Sequence, residues 1–338
     1  MNMRVVSPGK WLLAAVLGAL HGLFAGAAQA QDRSTQQAAD TLSAIVKVTA
    51  RILPNARSAA TLGARREGSG VLIRDGFVLT IGYLVIESEA VEVTGADGKS
   101  VPAALAGYDH ASGFGLLKLV SPVAGKPLPL GDAGAIAERE QVMIAGYGGM
   151  DGVNVVNVVS RRPFAGSWEY RLDSAIFTFP PVPNWSGAAL IGGRGELLGI
   201  GSLIVGDALR SGVHSPGNMF VPIDLLKPIL QDLIDRGRAA GPVQPWLGIN
   251  TEEVRGRLYV ARVSPQGPAD QAGVLSGDIV IGVGADEVSS LAEFYAKVWA
   301  RGPAGTEIPL RILQGAQVRD VVVRSIDRNE YFRTRPTY

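Results

Sequence analysis

Short apolar runs separated by polar turn residues dominate the chain from about residue 43 to residue 201. Turn sequences such as Arg-Asp-Gly at 74–76 stand between the runs. Many short strands at this spacing, without long helical segments between them, are typical of an all-β barrel or sandwich. The predicted strands are 43–48, 70–73, 77–80, 90–93, 115–120, 141–145, 154–159, 188–191 and 197–200.

The apolar period changes to that of a helix after this region. Leucine and isoleucine residues recur on one face of 225–234, which predicts an amphipathic helix. Asp224 is the predicted N-cap, Pro228 falls near the first turn, and Gly237 is the predicted stop. The segment 238–245 contains Gly and Pro, which break both helix and strand, and it predicts a linker.

A second and smaller unit follows at 246–328. Ser290, followed three residues later by Glu293, has the pattern of a capping box at the start of a helix. Residues 329–338 are polar and basic and predict a terminal tail. The predicted strands of this unit are 258–263, 279–283, 308–313 and 318–324.

The first 30 residues have a pattern unlike that of a folded domain. Two basic residues precede an apolar stretch at 11–28, and small residues end the segment at Ala30. This order predicts a secretory signal peptide cleaved between Ala30 and Gln31, with 31–42 as a short N-terminal segment of the mature chain. An uncleaved membrane anchor is the alternative. We therefore expect a periplasmic or secreted protein without a membrane contact after cleavage.

Composition excludes several classes of function. The 338 residues carry a formal net charge of +1, with 47% hydrophobic and 19% charged residues. This length predicts two domains, and this composition excludes a disordered chain. The even charge balance gives no basic stripe for nucleic acid. Because the chain has no cysteine and only three histidines, we predict no disulfide, no metal site and no cofactor.

Four segments carry a family resemblance through their order and spacing. They are GSGVLIRDGFVLT at 68–80, DHASGFGLLK at 109–118, DSAI at 173–176 and WSGAAL at 185–190. Together they resemble the HtrA/DegP type of periplasmic trypsin-like protease. The resemblance implies a mainly β fold, in which a chymotrypsin-like double β-barrel at 43–237 is followed by an α+β PDZ domain.

The resemblance also identifies the positions of the catalytic residues. A trypsin-like protease uses a serine nucleophile, a histidine base and an aspartate that orients the histidine. At the matching positions this chain has Ser186, Tyr83 and Gly113. A tyrosine with a pKa near 10 is a poor base at neutral pH, and glycine has no side chain to orient one. We expect Ser186 to be a turn residue of an inactive barrel; a nucleophile served by an unusual base is the alternative.

The oxyanion hole of the family uses the amides of a glycine two residues before the serine and of the serine itself. The matching residues here are Asn184 and Ser186, and asparagine disfavours the positive φ that glycine allows. The interval from Asp173 to Ser186 is longer than the corresponding family loop, and the Pro-rich, aromatic segment 177–183 fills the extra space. We expect this insertion to reshape or block the primary specificity pocket.

Two histidines lie outside the predicted signal peptide, and each is a candidate for a displaced base. They are His110 and His214. Both lie in predicted loops, where a solvent-exposed histidine is the commoner case. We expect exposed loop residues, with service to Ser186 as the alternative.

The second unit resembles a PDZ domain through its GPADQAGVLSGD and WLGI sequences. WLGI matches the carboxylate-binding loop of the family, so the predicted peptide-binding residues are Trp246, Leu247, Gly248 and Ile249. Backbone N–H groups of such a loop form a nest for a terminal carboxylate, and the next strand pairs with the peptide. We expect modest binding, on the order of micromolar. A purely structural cap on the barrel is the alternative.

These features together predict an exported HtrA-like pseudoprotease that binds peptides or protein C-termini, in protein quality control or as an adaptor. The further predicted partners are active HtrA relatives and other copies of the chain. One alternative is a weak serine endopeptidase that acts through Ser186. Another is a structural subunit that assembles with active HtrA relatives and tunes their substrate delivery.

Overall fold

The first part of the chain folds into a closed six-stranded β-barrel. The computed structural model describes residues 36–332, so the predicted signal peptide and residues 333–338 of the tail lie outside the described residues. The strands of the first barrel are β1 (Ile45–Ile52), β2 (Arg65–Arg74), β3 (Phe77–Ile81), β4 (Ser88–Thr94), β5 (Ser100–Tyr108) and β6 (Phe114–Leu119). They close in the order β1-β2-β3-β6-β5-β4. Alternation along β1 buries Val46 and Val48 and leaves Arg51 exposed.

A second closed barrel follows the first. Its strands are β7 (Gln141–Ala145), β8 (Val153–Gly166), β9 (Tyr170–Phe179), β10 (Ala189–Ile191), β11 (Leu197–Val205) and β12 (Gly217–Pro222). They close in the order β10-β11-β12-β9-β8-β7. The buried hydrophobic side chains of the two barrels form one continuous core. The mainly β double barrel expected from the sequence is therefore confirmed.

The predicted helix at 225–234 is divided into two pieces. Short 3₁₀ geometry covers Ile223–Leu225, and the α-helix begins only at Leu230 and extends to Arg236. Pro228 lies between the pieces. It interrupts the helix because proline lacks an N–H and its ring clashes with the preceding turn. Asp224 is therefore not the N-cap; its carboxylate instead accepts the N–H of Gly134 at 2.9 Å. Gly237 ends the helix with a φ of 75°, as predicted.

The remaining helical segments are short. Residues 36–43 are helical at the start of the described chain. None of the helices in 36–332 is long and apolar enough to cross a membrane. The other α-helices are Ala59–Leu62, Pro268–Gln271, Leu291–Trp299 and Arg328–Tyr331, and the other 3₁₀ turns are Gly82–Leu84, Ala133–Ala135 and Gly149–Gly152.

The C-terminal unit is a sheet covered by one longer helix. Its strands are β13 (Ile249–Val254), β14 (Arg257–Val263), β15 (Ile279–Val283), β16 (Asp286–Glu287), β17 (Glu307–Gln314) and β18 (Gln317–Arg324). The sheet order is β13-β14-β15-β17-β18, and β16 pairs with β15. Helix Leu291–Trp299 buries Phe294 and Val298 against this sheet. Ser290 caps the helix, because its Oγ accepts the N–H of Glu293 at 3.2 Å.

Candidate functional site

Ser186 lies in a tight turn between β9 and β10. The N–H of Ala188 donates to the carbonyl of Trp185 at 3.0 Å, and Gly187 has a φ of 72°. A Cβ at Gly187 would lie 2.0 Å from the carbonyl oxygen of Ser69, so only glycine fits there. The Ser186 carbonyl in turn accepts the N–H of Ser69 at 2.8 Å. These contacts give the Ser-Gly sequence a structural reason that is independent of catalysis.

Tyr83 is hydrogen-bonded to the hydroxyl of Ser186. The Oη atom of Tyr83 lies 2.9 Å from Ser186 Oγ and 2.9 Å from the carbonyl oxygen of Ser202. A phenol has one proton and a carbonyl oxygen can only accept. Both contacts are therefore satisfied together when Tyr83 donates to Ser202 and Ser186 donates to Tyr83. In this arrangement the proton stays on Ser186 Oγ and is donated to the oxygen of a neutral phenol.

The electrostatics of Tyr83 oppose a role as base. Burial raises the pKa of Tyr83 to about 12, and the hydrogen bonds with Ser186 and Trp185 lower it only in part. A phenolate, the only form of tyrosine able to take a serine proton, is therefore rare at neutral pH. The neutral phenol is far too weak a base for the task.

The buried guanidinium of Arg66 fixes the turn that carries Tyr83. Arg66 is only 5% exposed, and its guanidinium donates to the carbonyl of Tyr83 at 2.7 Å and to that of Ile86 at 3.1 Å. Burial lowers the pKa of Arg66 to about 10, and the charge of Glu87 opposes this shift. The Glu87 carboxylate also accepts the hydroxyl of Ser58 at 2.6 Å. The position of Tyr83 is thus set by the interior of the first barrel.

Gly113, which the sequence resemblance assigns to the position of an aspartate, adopts a conformation that favours glycine. Its φ is 80°, and a Cβ built on it would lie 3.4 Å from Oη of Tyr170. Tyr170 is buried and donates to the carbonyl of Ser112 at 2.7 Å. Burial raises the pKa of Tyr170 well above the ordinary value. An aspartate at this position would therefore have a strained backbone, and its Cβ would be in van der Waals contact with a neutral tyrosine.

A cavity of about 420 Å³ lies beside Ser186. Tyr147, Pro183 and Asn184 are among its lining residues. Asn184 is exposed, and it is not among the described non-glycine residues with positive φ, so the expected conformational penalty does not arise. Residues 177–179 of the insertion belong to β9, and Pro183 is the only one of 177–183 that lines this cavity. Assignment of Asn184 and Ser186 to an oxyanion hole stays a prediction.

The two histidines are placed differently. His110 is half-buried, not exposed as expected, with Nε2 3.0 Å from Oδ1 of Asn329 and its ring stacked on Phe332. Burial and the charge of Arg328 lower the pKa of His110 well below the ordinary value. His214 is exposed in the loop between β11 and β12. Neither histidine lines the cavity beside Ser186.

The predicted carboxylate-binding loop holds a carboxylate. The N–H groups of Leu247, Gly248 and Ile249 donate to the side chain of Glu169 at 2.8, 2.7 and 2.9 Å. Burial raises the pKa of Glu169 to about 7, while these three N–H bonds and Arg328 lower it. Trp246 differs from the prediction, because its N–H donates to the carbonyl of Ile326 instead.

Glu169 is the site residue that the sequence did not indicate. It lies 78 positions before Leu247 in the chain, in the hairpin that joins β8 and β9. No spacing or motif connects a hairpin glutamate with a distant Gly-containing loop. Only the packing of the second barrel against the C-terminal unit brings them together.

Comparisons with known proteins agree with this architecture. The trypsin-like peptidase domain matches residues 68–200, and the PDZ domain matches residues 245–324. A probable periplasmic serine protease do/HhoA-like of Haemophilus influenzae is 27% identical over 276 residues, which are 76% of this chain and 57% of that protein. The periplasmic pH-dependent serine endoprotease DegQ of Escherichia coli is 26% identical over 273 residues, 76% of this chain and 58% of that protein.

A solved structure extends the likeness to the fold. The HtrA-type protease AlgW with tripeptide superposes with a TM-score of 0.52 at 20% identity, over 89% of this chain and 98% of that chain. Fold and matched domains thus define a trypsin-like peptidase domain followed by a PDZ domain. The chain belongs to the HtrA-type proteins. It spans somewhat more than half the length of the two curated relatives, at 57% and 58%.

Proposed function

We propose that this protein is a proteolytically inactive HtrA-type protein that binds protein C-termini through its PDZ domain. The observation that carries the proposal is the convergence of the Leu247, Gly248 and Ile249 amides on one carboxylate. Successive backbone N–H groups form the nest with which C-terminal carboxylates are captured. The same geometry serves a peptide terminus as well as a side chain.

The loss of proteolysis is supported by the surroundings of Ser186. A trypsin-like mechanism needs a base that takes the serine proton and returns it to the leaving amine. Tyr83 occupies the position of that base as a neutral phenol with its own proton donated to Ser202. Gly113 supplies no acidic side chain. A role as adaptor in protein quality control, alone or with active HtrA relatives, follows from a binding domain without peptidase chemistry.

The proposed location is the periplasm or the cell exterior. The curated relatives are named as periplasmic proteases. The basic, apolar and small-residue order of the first 30 residues supports cleavage between Ala30 and Gln31. Chain ends exposed by misfolded or cleaved exported proteins are the class of ligand that such a location supplies.

Carboxylate dependence of peptide binding tests this function. Extended peptides with an apolar last residue are titrated into the wild-type protein by calorimetry, as a free acid and as the C-terminal amide. We expect the free acid to bind at least about tenfold more tightly, because amidation removes charge-assisted hydrogen bonds to the nest. Equal binding of acid and amide, or no binding of either below millimolar, would contradict the proposal.

A further inference from the structure

The hairpin that joins β8 and β9 inserts its tip into the C-terminal domain. Gly166 pairs with Tyr170, which leaves a three-residue loop of Ser167, Trp168 and Glu169. Trp168 stacks on Tyr170 with the ring centroids 5.6 Å apart, so the tip is stiffened from within. Glu169 is 9% exposed and has a φ of 56°, a backbone conformation that favours glycine. The residue with this unfavourable backbone conformation is the one whose carboxylate accepts the three N–H bonds of the PDZ loop.

The tip contacts the outer edge of the edge strand β13. β13 ends the sheet order, so its outer edge has no partner strand within the sheet. The N–H of Ile249 donates to the side-chain carboxylate of Glu169, and two residues further on the N–H of Thr251 donates to the carbonyl of Ser167 at 2.8 Å. The tip therefore joins the outer edge of β13 through one backbone hydrogen bond and one bond to the Glu169 carboxylate. A peptide whose terminus lies in the nest would use this same edge.

The facing helix completes the enclosure of the tip. Tyr295 of helix Leu291–Trp299 donates its hydroxyl to the carbonyl of Gly166 at 2.7 Å and accepts the N–H of Glu169 at 3.2 Å. Arg328 donates to the carbonyl of Trp168 at 3.1 Å. Hydrogen bonds to the C-terminal domain are therefore made by the carbonyl groups of Gly166, Ser167 and Trp168 and by the amide of Glu169. The groove between β13 and the helix is filled.

We propose that Glu169 is an internal surrogate for a C-terminal carboxylate, which keeps the PDZ groove closed until a protein C-terminus displaces the hairpin tip. This inference rests on the proposed peptide-binding function, since it concerns the same groove. The displacing partner must bring a free carboxylate for the three amides and an extended backbone for β13. A side-chain carboxylate on a rigid hairpin and an incoming chain end cannot occupy the nest together.

Competition of this kind has a measurable consequence. The apparent affinity for an external peptide equals the affinity of the open groove multiplied by the fraction of molecules in which the groove is open. Removal of the Glu169 carboxylate frees the three amides and shifts the population toward the open groove. Glu169→Ala should therefore bind a free-acid peptide at least about tenfold more tightly than the wild type. Glu169→Gln, which retains a neutral acceptor, should lie between the two.

The experiment compares four proteins with one peptide pair. Wild type, Glu169→Ala, Glu169→Gln and Glu138→Ala are titrated with the free-acid and amidated forms of one apolar-ended peptide. Glu138 is an exposed glutamate of the same part of the chain and serves as the matched control. The inference is supported if the affinity for the free-acid peptide rises from wild type to Glu169→Gln to Glu169→Ala. The affinity for the amidated peptide should not rise, and Glu138→Ala should bind like the wild type. Equal affinity of wild type and Glu169→Ala overturns it while leaving the proposed function intact.

Hydrogen exchange separates failure of the inference from failure of the proposed function. In the absence of peptide, the amides of Leu247, Gly248 and Ile249 should be protected in the wild type and exchange at least about tenfold faster in Glu169→Ala. If this protection is lost but no variant binds peptide, closure by Glu169 stands and C-terminal recognition is overturned. If protection is unchanged in Glu169→Ala, closure by Glu169 is overturned whatever the peptide data show.

Discussion

The double variant Tyr83→His/Gly113→Asp is expected to cleave casein at least about a thousandfold more slowly than an active HtrA-type protease. The new histidine restores a base, but its orientation depends on the new aspartate. That aspartate must adopt a φ near 80°, where glycine is favoured, and its Cβ would lie 3.4 Å from the hydroxyl of Tyr170. An unsupported histidine costs about four orders of magnitude in rate, and partial support recovers only part of that loss.

Two further variants make this result interpretable. Tyr83→His alone should be no more than about tenfold slower than the double variant, because the aspartate contributes little from a strained position. Adding Ser186→Ala to the double variant should abolish whatever cleavage remains and so identify the nucleophile. Circular dichroism checks that each variant is folded. Activity of the double variant equal to that of an active relative would show that Gly113 and Tyr170 impose no barrier.

The wild type is expected to lose about 2–3 kcal/mol of stability relative to Glu169→Gln as the pH rises from 5 to 8. Burial raises the pKa of Glu169 to about 7 from an ordinary value of 4.5. The folded protein therefore binds a proton that the unfolded chain releases. This contribution is complete below pH 4.5 and is lost as the pH rises through 7. The charge of Arg328 and the three N–H bonds of the PDZ loop oppose this rise, and Tyr295 also faces the carboxylate, since the charge of Glu169 raises the pKa of Tyr295.

The comparison with Glu169→Gln is needed because another group titrates in the same range. His110 has a lowered pKa, so its contribution has the opposite sign and is lost as the pH falls through 6.5. His110 is present in both proteins and cancels in the difference. Urea denaturation at pH 5, 6, 7 and 8 gives that difference, with Glu138→Gln as the matched exposed control. A constant difference across the four values would contradict a buried, proton-binding Glu169.

Local pattern predicted most strands because their positions follow from apolar runs and turn residues. Every predicted strand of the two barrels is present, with boundaries that differ from the predicted ones by a few residues. β5 was missed because its sequence, SVPAALAGY, is rich in alanine and carries a weak apolar signal. β9 and β12 were also missed, since no strand was predicted over 170–179 or 217–222 and 177–183 were assigned to an insertion. The helix boundary failed at Pro228, where the apolar period continues but the backbone cannot.

The residues at the predicted catalytic positions could be proposed from the sequence because each lies within a contiguous motif, and their assignment stays a prediction. Tyr83, Gly113 and Ser186 could be placed by counting along the chain. The contacts of these residues could not be predicted, since the hydrogen bond between Tyr83 and Ser186 joins residues 103 positions apart. The Glu169 contact is of the same kind, because it depends on how the second barrel meets the PDZ domain. Long-range packing, which local pattern does not encode, decides both findings.

Labelling of the wild-type protein with a fluorophosphonate tests the central claim, the loss of peptidase chemistry at Ser186, most directly. The probe reacts with a serine only when a base removes its proton. The hydroxyl of Ser186 is hydrogen-bonded to a neutral Tyr83, which is not such a base. Mass spectrometry of the intact protein compares wild type, Ser186→Ala and an active trypsin-like protease under the same conditions. We expect the wild type to show no more adduct than Ser186→Ala, while the active protease is labelled completely. Stoichiometric labelling of the wild type that is lost in Ser186→Ala would contradict the account.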